Sequence, residues 1–184
     1  MGSTHTNNAN NANSTRSTRC FIAVELCDEV ARRLEKMQGE IKETGANASF
    51  PKVNQMHLTL AFYASLRESE VEKKISLLRQ ALQNSKKFTL KVRGVGFLPN
   101  EKFIKSVYAG IESRELIELQ ANIAKALNYR EDRQFFPHAT LARVKDASHL
   151  NELRDLKELG KKYVGFAFGE CVVEKAYFKK SALT

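Results

Sequence analysis

The strongest constraint on the fold of this chain is a pentapeptide that occurs twice, as His57-Leu58-Thr59-Leu60-Ala61 and as His138-Ala139-Thr140-Leu141-Ala142, the copies differing only in their second letter. Around each copy the apolar positions resolve into series of similar order. In the first, Cys20 to Leu26 reads as a strand and about Asp28 to Thr44 as a helix, with Val30, Leu34, Met37 and Ile41 on one face and Gly45 as its stop. His57 to Tyr63 is the next strand. The capping-box signature Ser69-x-x-Glu72 then opens a helix with the stripe Val71, Ile75, Leu78 and Leu82, and Phe88 to Leu98 closes the series as a strand. The second series runs from a strand at Phe103 to Ile111, through a helix from about Ser113, to a strand at His138 to Val144. A helix from Ser148 to Leu159 follows, stopped by Gly160, and strand material from Tyr163 to Lys180 is interrupted at Gly165 and Gly169. A chain that repeats its element order in this way is what a duplication or a pseudo-two-fold fold leaves. Helices beside antiparallel strands give an α+β class: two pseudo-symmetric lobes, each an antiparallel sheet with flanking helices, enclosing a central cleft.

On a strand, residues i and i+2 share a face, so His57 projects with Thr59 and His138 with Thr140, while Leu60 and Leu141 turn inward. Strict alternation also places Ala61 and Ala142 on the histidine face, where their small size leaves room for a ligand. One His-x-Thr pair on an amphipathic strand carries little information. Its recurrence at equivalent places in otherwise dissimilar halves marks His57, Thr59, His138 and Thr140 as one candidate catalytic cluster. Imidazole titrates near neutrality, and a threonine hydroxyl both donates and accepts hydrogen bonds. The set suits metal-free proton transfer at an anionic substrate. His5 and His149 need no special role.

Neither motif has the third histidine or the neighbouring Cys or carboxylate cluster that zinc requires. Gly94-x-Gly96 lacks the third glycine and the following helix of a nucleotide loop. No metal site and no cofactor are expected.

With 42% hydrophobic and 28% charged residues, the chain fits a single domain over residues 19–184. Residues 1–18 are rich in Asn, Ser and Thr, without the apolar core of a secretory signal, and read as a disordered leader or an expression scar. No apolar run is long enough to span a membrane. Cys20, Cys27 and Cys171 form no CxxC pair, so they are expected to be reduced and the protein cytoplasmic. The net charge of +9 favours polyanionic partners.

Arg133 and Arg143 bracket the second motif and can grip phosphates. Alternation puts Arg143 on the face opposite His138, so contact from there requires a bulge or a turn. A salt-bridge or fold-side role is equally open for it. Phe135 or Phe136 can stack on a base, or both can belong to the core. The paired lysines at 73–74, 86–87, 161–162 and 179–180 read as solvated faces, with a subset around the cleft, not identified by the sequence, open to guiding RNA.

Together these residues resemble the two-histidine phosphoesterase superfamily, and within it the RNA 2′,3′-cyclic phosphodiesterases of the LigT-like group, first described as 2′-5′ RNA ligases. The resemblance runs from Arg19-Cys20-Phe21-Ile22-Ala23-Val24 through Phe50, Gly94-x-Gly96-x-x-Pro99-Asn100 and Arg133-x-Phe135-x-Pro137-His138-x-Thr140-Leu141-Ala142-Arg143 to Ser181-x-Leu183-Thr184. The chain departs from the family at Val53-Asn54-Gln55, where Pro-Glu-Asn is common, and at Phe50, where Trp is frequent. It also stops at Thr184, where many relatives continue.

The resemblance implies hydrolysis of an RNA 2′,3′-cyclic phosphate end to a 2′-phosphomonoester. In that reading His57 is the acid towards the 3′ oxygen and His138 the base, and the threonines hold the non-bridging oxygens. tRNA fragments and small cyclic nucleotides are candidate substrates, and a monomer suffices. Two alternatives use the same fold. One is a 2′-5′ RNA ligase that joins the cyclic phosphate end to a 5′-hydroxyl end; the other is a non-catalytic RNA or nucleotide binding module.

Overall fold

Strand alternation and helical stripes are both realised in the computed structural model, which describes residues 16–145 and 150–181. His5 and the expected leader as far as residue 15, the expected helix start at Ser148, His149, and Leu183-Thr184 lie outside the described residues. The elements are β1 (Ser17–Glu25), α1 (Asp28–Glu43), β2 (Ala48–Ser49), β3 (His57–Arg67), α2 (Glu68–Leu82), β4 (Phe88–Asn100), β5 (Phe103–Glu112), α3 (Arg114–Ala126), β6 (His138–Val144), α4 (Leu150–Lys162), β7 (Ala167–Val173) and β8 (Tyr177–Lys180). No helix among the described residues is long and apolar enough to cross a membrane.

All strand pairs are antiparallel, in the order β7-β4-β5-β6-β3-β1-β8, with β2 paired to β6 off this path. The sheet has two wings, β7-β4-β5-β6 and β3-β1-β8, which meet where Leu58 lies opposite Ala139. Only residues 174–176 separate β7 from β8, although these strands form its two outer edges. A linker of that length reaches roughly 10 Å, so the sheet curls until its edges approach each other.

The wings are not the two halves of the sequence. β4 closes the first series but pairs with β5 and β7, whereas β8, at the end of the second, pairs with β1. The helices cross too: α1 and α4 pack on the β6-containing wing, and α2 and α3 pack on each other and on β3. The material expected as one interrupted run after Tyr163 is therefore two strands on opposite edges.

Core burial explains the pairing. Leu58, Leu60, Ala139 and Leu141 face a continuous apolar cluster that includes Val30, Leu34, Met37 and Ile41 of α1 and Leu116, Leu119 and Ile123 of α3. Each fully buried aliphatic side chain of this size contributes about 1.5–3 kcal/mol.

Local signals placed some boundaries and missed others. Ser113 caps α3, its side chain accepting from the Leu116 amide at 3.1 Å. Ser69 caps nothing: α2 starts at Glu68, directly after β3, which continues to Arg67 because it stays paired to β1 as far as Ser17. Sheet register, rather than the cap, sets that junction. Gly160 does not stop α4, which continues to Lys162; a Cβ there would stand 2.5 Å from the Phe97 ring, so the glycine serves close helix-to-sheet approach.

Candidate functional site

Each His-bearing strand carries a bulge at the fourth residue of its motif. On β3, Thr59 pairs with Ala23 and Ala61 with Ile22, leaving Leu60 as the extra residue. On β6, Thr140 pairs with Tyr108 and Ala142 with Val107, leaving Leu141 extra. One inserted residue reverses the alternation beyond it. Ala61 and Ala142 are therefore in the core, 1% and 0% exposed, and not beside the ligand space as alternation suggested. The residues that return to the histidine face are Phe62 and Arg143, and both line the cleft.

A bulge frees a backbone carbonyl that must find a donor. Gln38 of α1, only 4% exposed, donates through Nε2 to the Leu141 carbonyl at 2.9 Å and to the Pro51 carbonyl at 3.0 Å. Gln120 of α3 does the equivalent for the other copy, donating to the Leu60 carbonyl at 3.2 Å. Each bulge is thus held by a glutamine from a helix of the other sequence half.

The imidazoles are held alike. His57 Nδ1 lies 2.6 Å from the Gln55 carbonyl oxygen, and His138 Nδ1 lies 2.8 Å from that of Phe136. A carbonyl oxygen only accepts, so each Nδ1 carries a proton and donates it, leaving each Nε2 as the nitrogen free to exchange protons. Aromatic rings fix the planes: Phe21 stacks on His57 at 4.8 Å between centroids and Phe136 on His138 at 5.8 Å, with Tyr108 edge-on to His138 at 5.7 Å. Gly96 leaves space for Tyr108, because a Cβ there would overlap its hydroxyl.

His57, Thr59, His138 and Thr140 line one cleft of about 670 Å³. The Leu58–Ala139 pair joins β3 to β6, so His57 and Thr140 step off from it in one direction and Thr59 and His138 in the other. Arg143 lies on one side, and Arg19, Lys179 and Lys180 on the other. Lys179 is ion-paired with Glu25. Arg19 lies over the Phe62 ring at 5.4 Å, and its Nε is buried without a hydrogen-bond partner among the described residues. Burial, reinforced by the charges of Lys179 and Arg143, holds His57 below the ordinary imidazole range against the opposing pull of the Gln55 carbonyl and Glu25.

Of the sequence candidates, Arg133 and Phe135 are not brought to the cleft. Arg133 is exposed on the segment before β6, and Phe135 packs against the core. The outward aromatic is Phe136, 47% exposed. Of the paired lysines, Lys179 and Lys180 are the ones at the cleft, since β8 pairs with β1 and carries them to its rim. Arg19, Phe21, Phe62, Gln38 and Gln120 were missed as site residues. A signal existed for Gln38, a polar residue within an otherwise apolar helical stripe. Among the described residues no group of three His, Cys, Asp or Glu side chains converges to hold a metal ion.

Comparison with known proteins bears on the family and the fold. The family described as the AKAP7 2'5' RNA ligase-like domain matches residues 20–181. The chain is 28% identical over 170 residues to an RNA 2′,3′-cyclic phosphodiesterase of Methanothermobacter thermautotrophicus, covering 90% of this chain and 91% of that protein. It is 27% identical to one from Methanocaldococcus jannaschii, covering 90% and 92%. Among solved structures, TT0787 of Thermus thermophilus superposes with a TM-score of 0.73 at 26% identity, covering 90% of each chain. E. coli LigT complexed with 3′-AMP has the same fold, with a TM-score of 0.68 at 22% identity over 92% of this chain and 91% of that one.

Proposed function

Because the chain belongs to the AKAP7 2'5' RNA ligase-like domain family, we propose that it is a phosphoesterase that opens the 2′,3′-cyclic phosphate at an RNA end to a 2′-phosphomonoester. The observation that carries this reading is the matched pair of imidazoles, each with Nδ1 committed to a backbone carbonyl and Nε2 free, in one cleft with two threonines and Arg143.

In the proposed reaction, His138 Nε2 takes a proton from water as its oxygen bonds to phosphorus, in line with the departing 3′ oxygen. The phosphorus–O3′ bond breaks, and the Nε2 proton of His57 passes to that oxygen. Thr59 and Thr140 donate to the non-bridging oxygens as charge grows there, and Arg143 holds the phosphate by charge-assisted contacts. The acid role requires a protonated His57, whereas burial and two cations disfavour that state in the free protein. An anionic phosphate between the strands supplies the opposing charge, coupling protonation of His57 to substrate binding. The scheme uses proton transfer and hydrogen bonding alone, without metal or cofactor.

Arg19, Lys179 and Lys180 on the rim suit the RNA backbone leading into the cleft. Both histidines come from one chain, so a monomer completes the site. We place the protein in the cytoplasm.

The test is phosphorus NMR of a short RNA ending in a 2′,3′-cyclic phosphate, incubated in EDTA with wild-type protein, His57→Ala or His138→Ala. A 2′-phosphate formed only by the wild type is expected. A 2′-5′ junction formed with an added 5′-hydroxyl RNA would assign the transfer to ligation. Line broadening without turnover would reduce the protein to a binding module.

A further inference from the structure

Cys27 and Cys171 are 144 residues apart in sequence, yet their sulfurs stand 2.6 Å apart. The contact is built rather than incidental. Cys27 is the residue on which α1 begins, and α1 packs along β7, which carries Cys171. The Cys27 amide donates to Cys171 Sγ at 3.1 Å, and the Cys27 thiol lies 3.5 Å from the Glu170 carbonyl oxygen, which accepts from it. No spacing rule finds this pair, because only the curl of the sheet brings the end of β1 to the opposite edge strand.

We propose that Cys27 and Cys171 form a reversible disulfide in response to a hydroperoxide. Cys27, half-buried, is the sulfur a peroxide reaches; Cys171 is buried. In the first step the Cys27 thiol gives up its proton as its sulfur bonds to a peroxide oxygen and the O–O bond breaks. A sulfenic acid forms on Cys27, and the other oxygen takes up that proton and leaves as water or alcohol. In the second step Cys171 sulfur attacks Cys27 sulfur, the S–OH bond breaks, and the Cys171 proton leaves with that hydroxyl as water. Two thiols are oxidised by two electrons and one peroxide is reduced. Burial, with the Cys27 thiol beside it, pushes the Cys171 thiol up to about 12, which disfavours it as the first site of oxidation, and its contact with Cys27 sulfur places it for the second step. Cys20 is buried in a separate cluster with Leu66 and Val71 and takes no part.

The bond would close a staple around the sheet. Glu25, two residues before Cys27, is opposite His57 in the β1–β3 register, whereas β7 is the outer edge of the other wing. The wings meet in the backbone at the Leu58–Ala139 pair, so a covalent tie between them restrains their relative motion and the unfolded chain alike.

Titrating the full-length protein with hydrogen peroxide tests this. Thiol counting under denaturing conditions, intact mass, peptide mapping and thermal melts are read before and after dithiothreitol. Wild type and Cys20→Ser are expected to lose two thiols and two hydrogens by mass, to yield a Cys27–Cys171 crosslinked peptide, and to melt about 10 °C higher, all reversed by reductant. Cys27→Ser and Cys171→Ser should give neither the crosslinked peptide nor the rise in melting temperature. Mapping on the wild type decides the matter even if a variant fails to fold. Three free thiols after oxidation, a sulfinic acid on Cys27 without a crosslink, or a crosslink to Cys20 would overturn the proposal. None of these readouts depends on phosphoesterase activity.

Discussion

The His57 and His138 strands share a backbone design and differ in what that design delivers. Both place a His-x-Thr pair before a leucine bulge, both bulges are held by a buried or half-buried helical glutamine, and both imidazoles donate Nδ1–H to the carbonyl two residues earlier. Beyond the bulge the copies diverge, one presenting Phe62 and the other Arg143. The surroundings diverge as well. His57 lies near Lys179 and Glu25 and is stacked on Phe21; His138 lies between Phe136 and Tyr108. Backbone symmetry brings two equivalently held imidazoles together, and side-chain asymmetry makes their surroundings unequal. A reaction that needs one acid and one base requires both properties.

The largest effects should come from breaking the symmetric part. His57→Ala and His138→Ala should each lower turnover on a cyclic phosphate RNA end by on the order of 10²–10⁴-fold. The double variant should be little worse than either single, because paired groups that act in one step are not additive. Multiplying losses in single-turnover kinetics would show instead that the histidines act independently. Thr59→Val and Thr140→Val should each reduce kcat by up to about 10²-fold while leaving KM nearly unchanged, as expected of donors that strengthen in the transition state. Replacing the divergent residues sharpens the contrast. Arg143→Ala should raise KM roughly tenfold through the loss of a charged phosphate contact, and Phe62→Ala should do so by less.

Gln38 offers a subtler break. Gln38→Leu leaves the Leu141 and Pro51 carbonyls without their donor, costing about 1–3 kcal/mol in denaturant unfolding. It should also raise KM, by less than Arg143→Ala does, by loosening the bulge that aims Arg143. Gln120→Leu, which strands only the Leu60 carbonyl, should cost less. Equal effects in the two variants would argue that the bulges need no side-chain support.

The chain announced its element order, its α+β class and the two His-x-Thr strands, because each rests on a local period that burial enforces. It did not announce which strands share a wing. β4 and β8 read as well-formed strands wherever they pair, and the exchange between halves is a long-range choice made by the core. The same limit hid the cleft's cationic rim: Lys179-Lys180 looks like any exposed pair until β8 is laid against β1. Arg143 was legible only conditionally. Alternation put it on the wrong face, and the bulge that rescues it has no letter of its own, since Leu141 is an ordinary core residue to either reading. The paired glutamines show where such information sits. A polar residue inside an apolar helical stripe, as at Gln38, marks a backbone group elsewhere that needs a partner.

The smallest effect concerns the proton inventory of the two histidines. Burial, Lys179 and Arg143 all press His57 towards its neutral form, whereas the Gln55 carbonyl and Glu25 favour the charged one. In the free protein His57 should therefore titrate below the ordinary imidazole range, as read by its ring proton shifts in NMR. Lys179→Gln removes a cation and also frees Glu25 from its ion pair, so both changes favour the imidazolium and the titration should move to higher pH. If His57 is the acid, the limb of kcat/KM that falls as His57 loses its proton moves the same way, and activity extends further into the alkaline range. If His57 is instead the base, the same substitution moves the rising acidic limb to higher pH, and activity at low pH is lost. One substitution outside the histidine pair thus yields opposite pH profiles for the two assignments, separating roles that the backbone symmetry makes look alike.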